Sequence, residues 1–175
     1  MPGRTPHEAL DQFIAPLQLA VSCVSDDVIQ HGCDYQIRTE PYAIQVGTKD
    51  GMIQLGGRGR LRLAVQLQYR IIKPRDFKIS TAAYSYAIWD KTGENQILRW
   101  DWHPRIDHIP FPHLHIQDSK LKDEHLVTSR VTLEQVIKFL ITQWDVKAIR
   151  RDWKAILARG MRAVEDNCTW RFEPS

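Results

Sequence analysis

Histidine, arginine and aspartate crowd into one short part of this chain. Arg99-Trp100-Asp101-Trp102-His103 is followed, past His108, by Phe111-Pro112-His113-Leu114-His115, so four of the seven histidines fall there. These types suit phosphoryl chemistry. Imidazole titrates near neutral pH and can take or give a proton. A carboxylate can fix an imidazole's tautomer and orientation, and a guanidinium can stabilise charge on phosphate oxygens. Metal-free RNA cleavage needs little more than a base for the 2′-hydroxyl, an acid for the leaving oxygen and a cation for the phosphate. The residues assigned to that task are His113 and His115 as acid and base, Arg99 for phosphate and Asp101 to orient a histidine, with His103 and His108 beside them.

Strand geometry sharpens this assignment. Residues two apart on a strand share a face. Arg99, Asp101 and His103 should therefore point one way, with Leu98, Trp100 and Trp102 the other way. His113 and His115 should point together, with Leu114 and Ile116 turned into the core. Tyr84 and Tyr86, on the preceding strand, also face alike. They offer either a stacking surface for bases or packing within the sheet. Of the remaining histidines, His7, His31 and His125 read as solvated.

The same residues allow other chemistry. A strand His-x-His pair can supply two metal ligands, and His103, His108 or Asp101 could complete a site. A cupin-like site would want a glutamate shortly after the pair, where Ser119 and Lys120 stand. His113-Leu114-His115-Ile116-Gln117 also resembles the strand of the histidine-triad nucleotide hydrolases and transferases, which would make His115 the nucleophile. The working expectation is a site without a cofactor.

The elements that must position these side chains are legible from periodicity. Thr5-Pro6-His7-Glu8 opens a helix, with Thr5 as cap, Pro6 at the first position and Glu8 closing a capping box. Leu10, Phe13, Ile14, Leu17, Val21, Val24 and Val28 repeat at helical spacing. Pro16 should kink or divide that helix, and Gly32 should end it. From Cys33 to about Ile116 the period becomes alternating. Strands are expected over Tyr35 to Val46 (broken by Pro41), from Gly59 to Arg70, over Lys78 to Trp89, over Gln96 to Trp102 and over His113 to Gln117, with a hairpin at Asp90-Lys91-Thr92-Gly93-Glu94. Thr132-Leu133-Glu134-Gln135 is a second capping box, and a last helix is expected over about Val146 to Val164. The order predicts a single α+β domain over residues 1–175. It has an N-terminal helix, a twisted antiparallel sheet of about five to six strands, and two C-terminal helices packed on one face.

Composition is that of a globular protein: 175 residues, 43% hydrophobic, 26% charged, net charge +3. No apolar run is long enough to cross a bilayer, and residues 1–6 lack the pattern of a secretory signal. Cys23, Cys33 and Cys168 have no metal-type or redox-type spacing, which fits a reduced cytoplasmic setting. Arg58, Arg60, Arg62 and Arg70, with Lys73, Arg75 and Lys78, form a basic group that is either a solvated surface or a face for a phosphate backbone.

From Tyr84 to about Trp144 the chain resembles the TumE family of toxin–antitoxin toxins. The resemblance rests on Tyr84-Ser85-Tyr86, the hairpin at Gly93, Ile97-Leu98-Arg99-Trp100-Asp101, then His103, His108, Phe111-Pro112-His113-Leu114-His115 and the helix start at Thr132-Leu133-Glu134. The family's usual run is Arg-Tyr-Asp-Asn; here Trp100 replaces the tyrosine and Trp102 the asparagine. Residues 1–55 and 146–175 lie outside the resemblance. The resemblance implies a bacterial or archaeal toxin neutralised by a cognate antitoxin protein and acting on nucleic acid, foremost as a ribonuclease with RNA as partner. The alternative is a non-catalytic module that binds nucleic acid or protein through the arginine face. A homodimer is open on either reading.

Overall fold

The computed structural model describes residues 2–47, 51–57, 61–73, 75–104, 109–117 and 125–167. Helix α1 spans Pro6–Val21, α2 Leu133–Gln143 and α3 Trp153–Asn167. The strands are β1 Pro2–Gly3, β2 Ile29–His31, β3 Tyr42–Val46, β4 Met52–Gln54, β5 Arg62–Ile72, β6 Phe77–Trp89, β7 Gln96–Trp102, β8 His113–Ile116 and β9 Leu126–Val127.

All nine strands join one sheet in the order β2-β3-β5-β6-β7-β8-β9, with β1 on β6 and β4 on β5, and every pairing is antiparallel. The α+β expectation holds, with more strands than the five to six expected. The additional strands are two or three residues long, too short for alternation to reveal them. Leu63, Val65, Leu67, Tyr84, Tyr86, Ile88, Leu98 and Trp102 turn to one face and are buried with Leu10, Leu17, Val21, Leu133, Ile137, Leu140 and Leu157 of the helices. The opposite face carries polar side chains, as expected of an antiparallel sheet covered on one side.

The helix boundaries differ from those expected, each for a reason visible in the contacts at that end. Thr5 accepts from Glu8 N–H as expected, but the Glu8 carboxylate accepts from Arg4 N–H, one residue before the cap. Helix α1 runs unbroken through Pro16 and stops at Val21, well short of Gly32. There the Ser22 hydroxyl donates to Leu19 C=O, and Cys23 and Val24 bury themselves from a turn. The apolar repeat past Val21 thus marks core contact, not helix. The strand expected from Tyr35 forms only from Tyr42, since Tyr35 sits at φ 61°, a left-handed conformation foreign to strands. Helix α3 begins at Trp153, later than Val146, because Val146 bridges Gly57, Lys147 N–H donates to Gly56 and Ile149 N–H donates to Cys23. Gly57, at φ 120°, permits that approach: a β-carbon there would collide with the Asp145 carbonyl. The second capping box forms as read, Thr132 and Gln135 each accepting the other's backbone N–H.

Among the described residues no helix is long and apolar enough to cross a membrane. Cys23 is buried and its thiol pKa is pushed up to about 11 by burial; Cys33 is half-buried and unpaired in any disulfide.

Glu134 is the odd member of the core. It lies in the first turn of α2 at 1% exposure, and neither carboxylate oxygen has a hydrogen-bond partner among the described residues. A β-carbon on Gly160 of α3 would sit 2.7 Å from its Oε1. Burial raises the carboxyl pKa. A carboxyl raised in the folded state contributes stability below its unfolded value, and that contribution is lost as pH rises through the folded value. Glu134→Gln should therefore raise the melting temperature at neutral pH, with the gain shrinking toward zero below about pH 4. Thermal unfolding across pH checks this; a gain independent of pH would contradict it.

Candidate active site

The register of three strands builds the site. Ser85 of β6 lies opposite Asp101 of β7, and Asp101 lies opposite His113 of β8. One step along, Arg99 lies opposite His115. On the other side Gln66 of β5 pairs Ser85, and Gln45 of β3 pairs Gln66. These side chains share the open face. Pairing with the same register sends Tyr84, Tyr86, Trp100, Trp102 and Leu114 to the core.

Asp101 is the centre of this arrangement, with 4% of its surface exposed. Its Oδ2 accepts from Arg99 Nε at 2.5 Å and lies 3.3 Å from His115 Nε2. Its Oδ1 is buried and has no partner among the described residues. Arg99 also reaches Gln96 Oε1 through Nη1 at 3.4 Å. A carboxylate beside His115 Nε2 favours the proton on that nitrogen and leaves a lone pair on Nδ1. Burial holds the His115 pKa below the ordinary histidine value; Arg99, His113 and His125 push the same way and Asp101 opposes them.

His113 is 1% exposed, and its Nδ1 lies 3.0 Å from the Phe111 carbonyl. A carbonyl only accepts, so the proton sits on Nδ1 and Nε2 keeps the lone pair. The Phe111-Pro112 entry is itself held: Thr128 N–H donates to Pro112 C=O, and Trp102 Nε1 donates to Pro110 C=O. His103 follows β7 on the same face, with a buried Nδ1 that has no partner among the described residues.

His125, solvated as read, also joins this group, which its place in the sequence did not indicate. Its ring centroid is 4.5 Å from that of His115 and 4.9 Å from that of His113. The cause is β9, which pairs His113 with Val127 and Leu114 with Leu126, so His125 comes back beside His115. It remains exposed. One nitrogen from each of His113, His115 and His125 lies within 4.8 Å of the others. Only a recognised return strand after His115 would have signalled this, and β9 is two residues long.

Together Gln66, Ser85, Arg99, Asp101, His103, His113, His115 and His125 line a hollow of about 370 Å³. A second hollow of about 320 Å³ shares Gln66, Ser85 and Arg99 and continues across β5 toward Gln45. The two make a polar trough on the open sheet face. A wider hollow of about 620 Å³ between Val24 to Asp27 and Lys147 to Ile149 contains no histidine.

Other expected site residues lie elsewhere. Tyr84 and Tyr86 are 2% exposed on the core face, stacked on each other at 4.9 Å, and the Tyr84 hydroxyl accepts from Val131 N–H. They pack the covered face of the sheet, away from the histidines, where they also line a mainly apolar hollow of about 300 Å³ with Arg130 and Glu134. Arg62 and Arg70 belong to the polar side of β5 but stand at its two ends, and neither lines the histidine hollow. Arg62 donates to Lys91 C=O at the hairpin. The uncharged Ala64, Gln66 and Gln68 separate them, so β5 carries no continuous basic stripe. Arg58, Arg60 and His108 lie outside the described residues.

The family model described as Toxin TumE matches residues 37–145. That span contains every residue of the trough and reaches back well before Tyr84, where the sequence resemblance starts. No curated protein and no solved structure matches the chain.

The role of Asp101 is open to direct measurement. Asp101→Asn keeps the shape and removes the charge that raises the His115 pKa. Imidazole titration by NMR, in buffer containing a chelator, should show His115 protonating at lower pH in this variant. An unchanged titration would mean the carboxylate does not act on that ring.

Proposed function

The chain belongs to the TumE toxin family, and from that premise we propose that it arrests growth by cutting RNA in the trough on its open sheet face. A toxin of this kind works against a cognate antitoxin, which is its expected protein partner. The observation that carries the cleavage reading is the meeting of imidazoles from β8 with the Arg99 guanidinium around one buried carboxylate, Asp101, in an open polar hollow.

The reaction follows from that set. One of His113 and His115 takes the proton of a 2′-hydroxyl, and the freed oxygen bonds to the adjacent phosphorus. The bond from phosphorus to the 5′-oxygen breaks as the other imidazole gives that oxygen a proton. The products are a 2′,3′-cyclic phosphate and a 5′-hydroxyl. Arg99 holds the phosphate and balances charge as the fifth oxygen arrives. Asp101 orients both His115 and Arg99. Ser85, Gln66 and Gln45 offer donors and acceptors to sugar or base edges along the trough.

Loss of a general acid or base costs about 10²- to 10⁴-fold in rate, and loss of a charge-stabilising donor about 10²- to 10³-fold. His113→Ala with His115→Ala should therefore abolish RNA cleavage and growth arrest while circular dichroism stays native. Arg99→Ala should lower cleavage within the second range. Replacing the 2′-hydroxyl at the cut site by hydrogen should stop the reaction in the unaltered protein. Full toxicity of the double variant, or cleavage of the deoxy substrate, would overturn the proposal.

A further inference from the structure

We propose that His113, His115 and His125 together bind one divalent ion of the zinc class, and that an ion held there switches off the RNA cleavage proposed above. The second half rests on that reading; the first does not.

Three imidazoles converge from two paired strands, with one nitrogen of each inside a 4.8 Å circle. The donors are all nitrogen, a set that suits zinc, cobalt, nickel or copper and disfavours magnesium and calcium, which take oxygen. The surroundings are those of a ligand set. His113 is tied through Nδ1 to the Phe111 carbonyl, and His115 Nε2 lies by the Asp101 carboxylate. Metal-bound histidines commonly give their other nitrogen to such a carbonyl or carboxylate, which fixes the ring and raises its basicity.

Tetrahedral zinc with bonds of about 2.0–2.1 Å to nitrogen brings its ligand atoms to about 3.4 Å from one another. The cluster must contract to reach that distance. His113 and His115 are fixed by their partners, whereas His125 is exposed just ahead of the short edge strand β9. His125 is therefore the arm that closes on the ion. The hollow in front of the three rings is open, so the fourth position is free for water, as in sites with three protein ligands.

Occupancy and acid–base work exclude each other. A proton carrier needs the lone pair on each ring, and coordination uses the same lone pair. An ion bound to His113 and His115 leaves neither able to take a proton.

The test uses the full chain, stripped with chelator, and cobalt(II) as a spectroscopic probe. One equivalent should produce the visible absorption of tetrahedral cobalt, displaced by one equivalent of zinc. His125→Ala, at an exposed position, should keep the fold by circular dichroism and weaken cobalt binding by at least the roughly 10- to 100-fold that loss of a mere outer-shell partner costs. No tetrahedral band, or an undiminished band in His125→Ala, would overturn the site. RNA cleavage by the unaltered protein, stripped of metal and freed of chelator, should proceed, stop on adding one equivalent of zinc, and return when chelator is added. Cleavage that ignores zinc or requires it would overturn the switch. Absence of cleavage under every condition would count against the ribonuclease proposal, and the cobalt band would still decide the site.

Discussion

A single carboxylate pressed into the open surface of the sheet organises everything around it. Asp101 sits nearly buried on β7, and one of its oxygens faces both Arg99 and His115. An ionised carboxylate taken from water is costly unless it is paired and hydrogen-bonded. Arg99 is about one-third exposed, so solvent screens part of that pairing. The guanidinium and the imidazole are drawn to one point, while the second carboxylate oxygen has no partner among the described residues.

That convergence depends on register. Ser85, Asp101 and His113 lie in one cross-strand row, and Arg99 and His115 in the next. A slip of one residue between β7 and β8 would turn both histidines into the core and bring Leu114 to the surface. The aromatic side chains that fill the reverse face resist such a slip. Tyr84 and Tyr86 stack on one another, Tyr84 meets Trp102 at 6.1 Å, and Trp100 meets Phe139 of α2 edge-on.

How much of this could be read from the sequence varied with the range of the interaction concerned. β7 was legible residue for residue, because seven alternating positions suffice to show a face. The grouping of Arg99, Asp101, His103, His113 and His115 followed from the same alternation, and so did the capped start of α2, whose signals are local. Features set by distant parts of the chain were not legible. The end of α1 depends on a turn that buries Cys23 and Val24, and the late start of α3 depends on Gly56 and Gly57. Alternation also cannot say which face is covered, which is why Tyr84 and Tyr86 read equally well as binding or packing. His125 was invisible because its place is decided by a two-residue pairing across a connection with no periodic signal.

The stacked Tyr84–Tyr86 pair has a consequence for how this protein can change. Their backbone flanks Ser85, whose side chain lies on the trough, so floor and foundation are consecutive residues of one strand. No intervening layer absorbs a packing error. A core substitution at either tyrosine would reach the histidines through the pleat itself, as a tilt of the row in which they stand. Packing at Tyr84 and Tyr86 and the shape of the trough at Ser85 are therefore tied through adjacent residues of one strand.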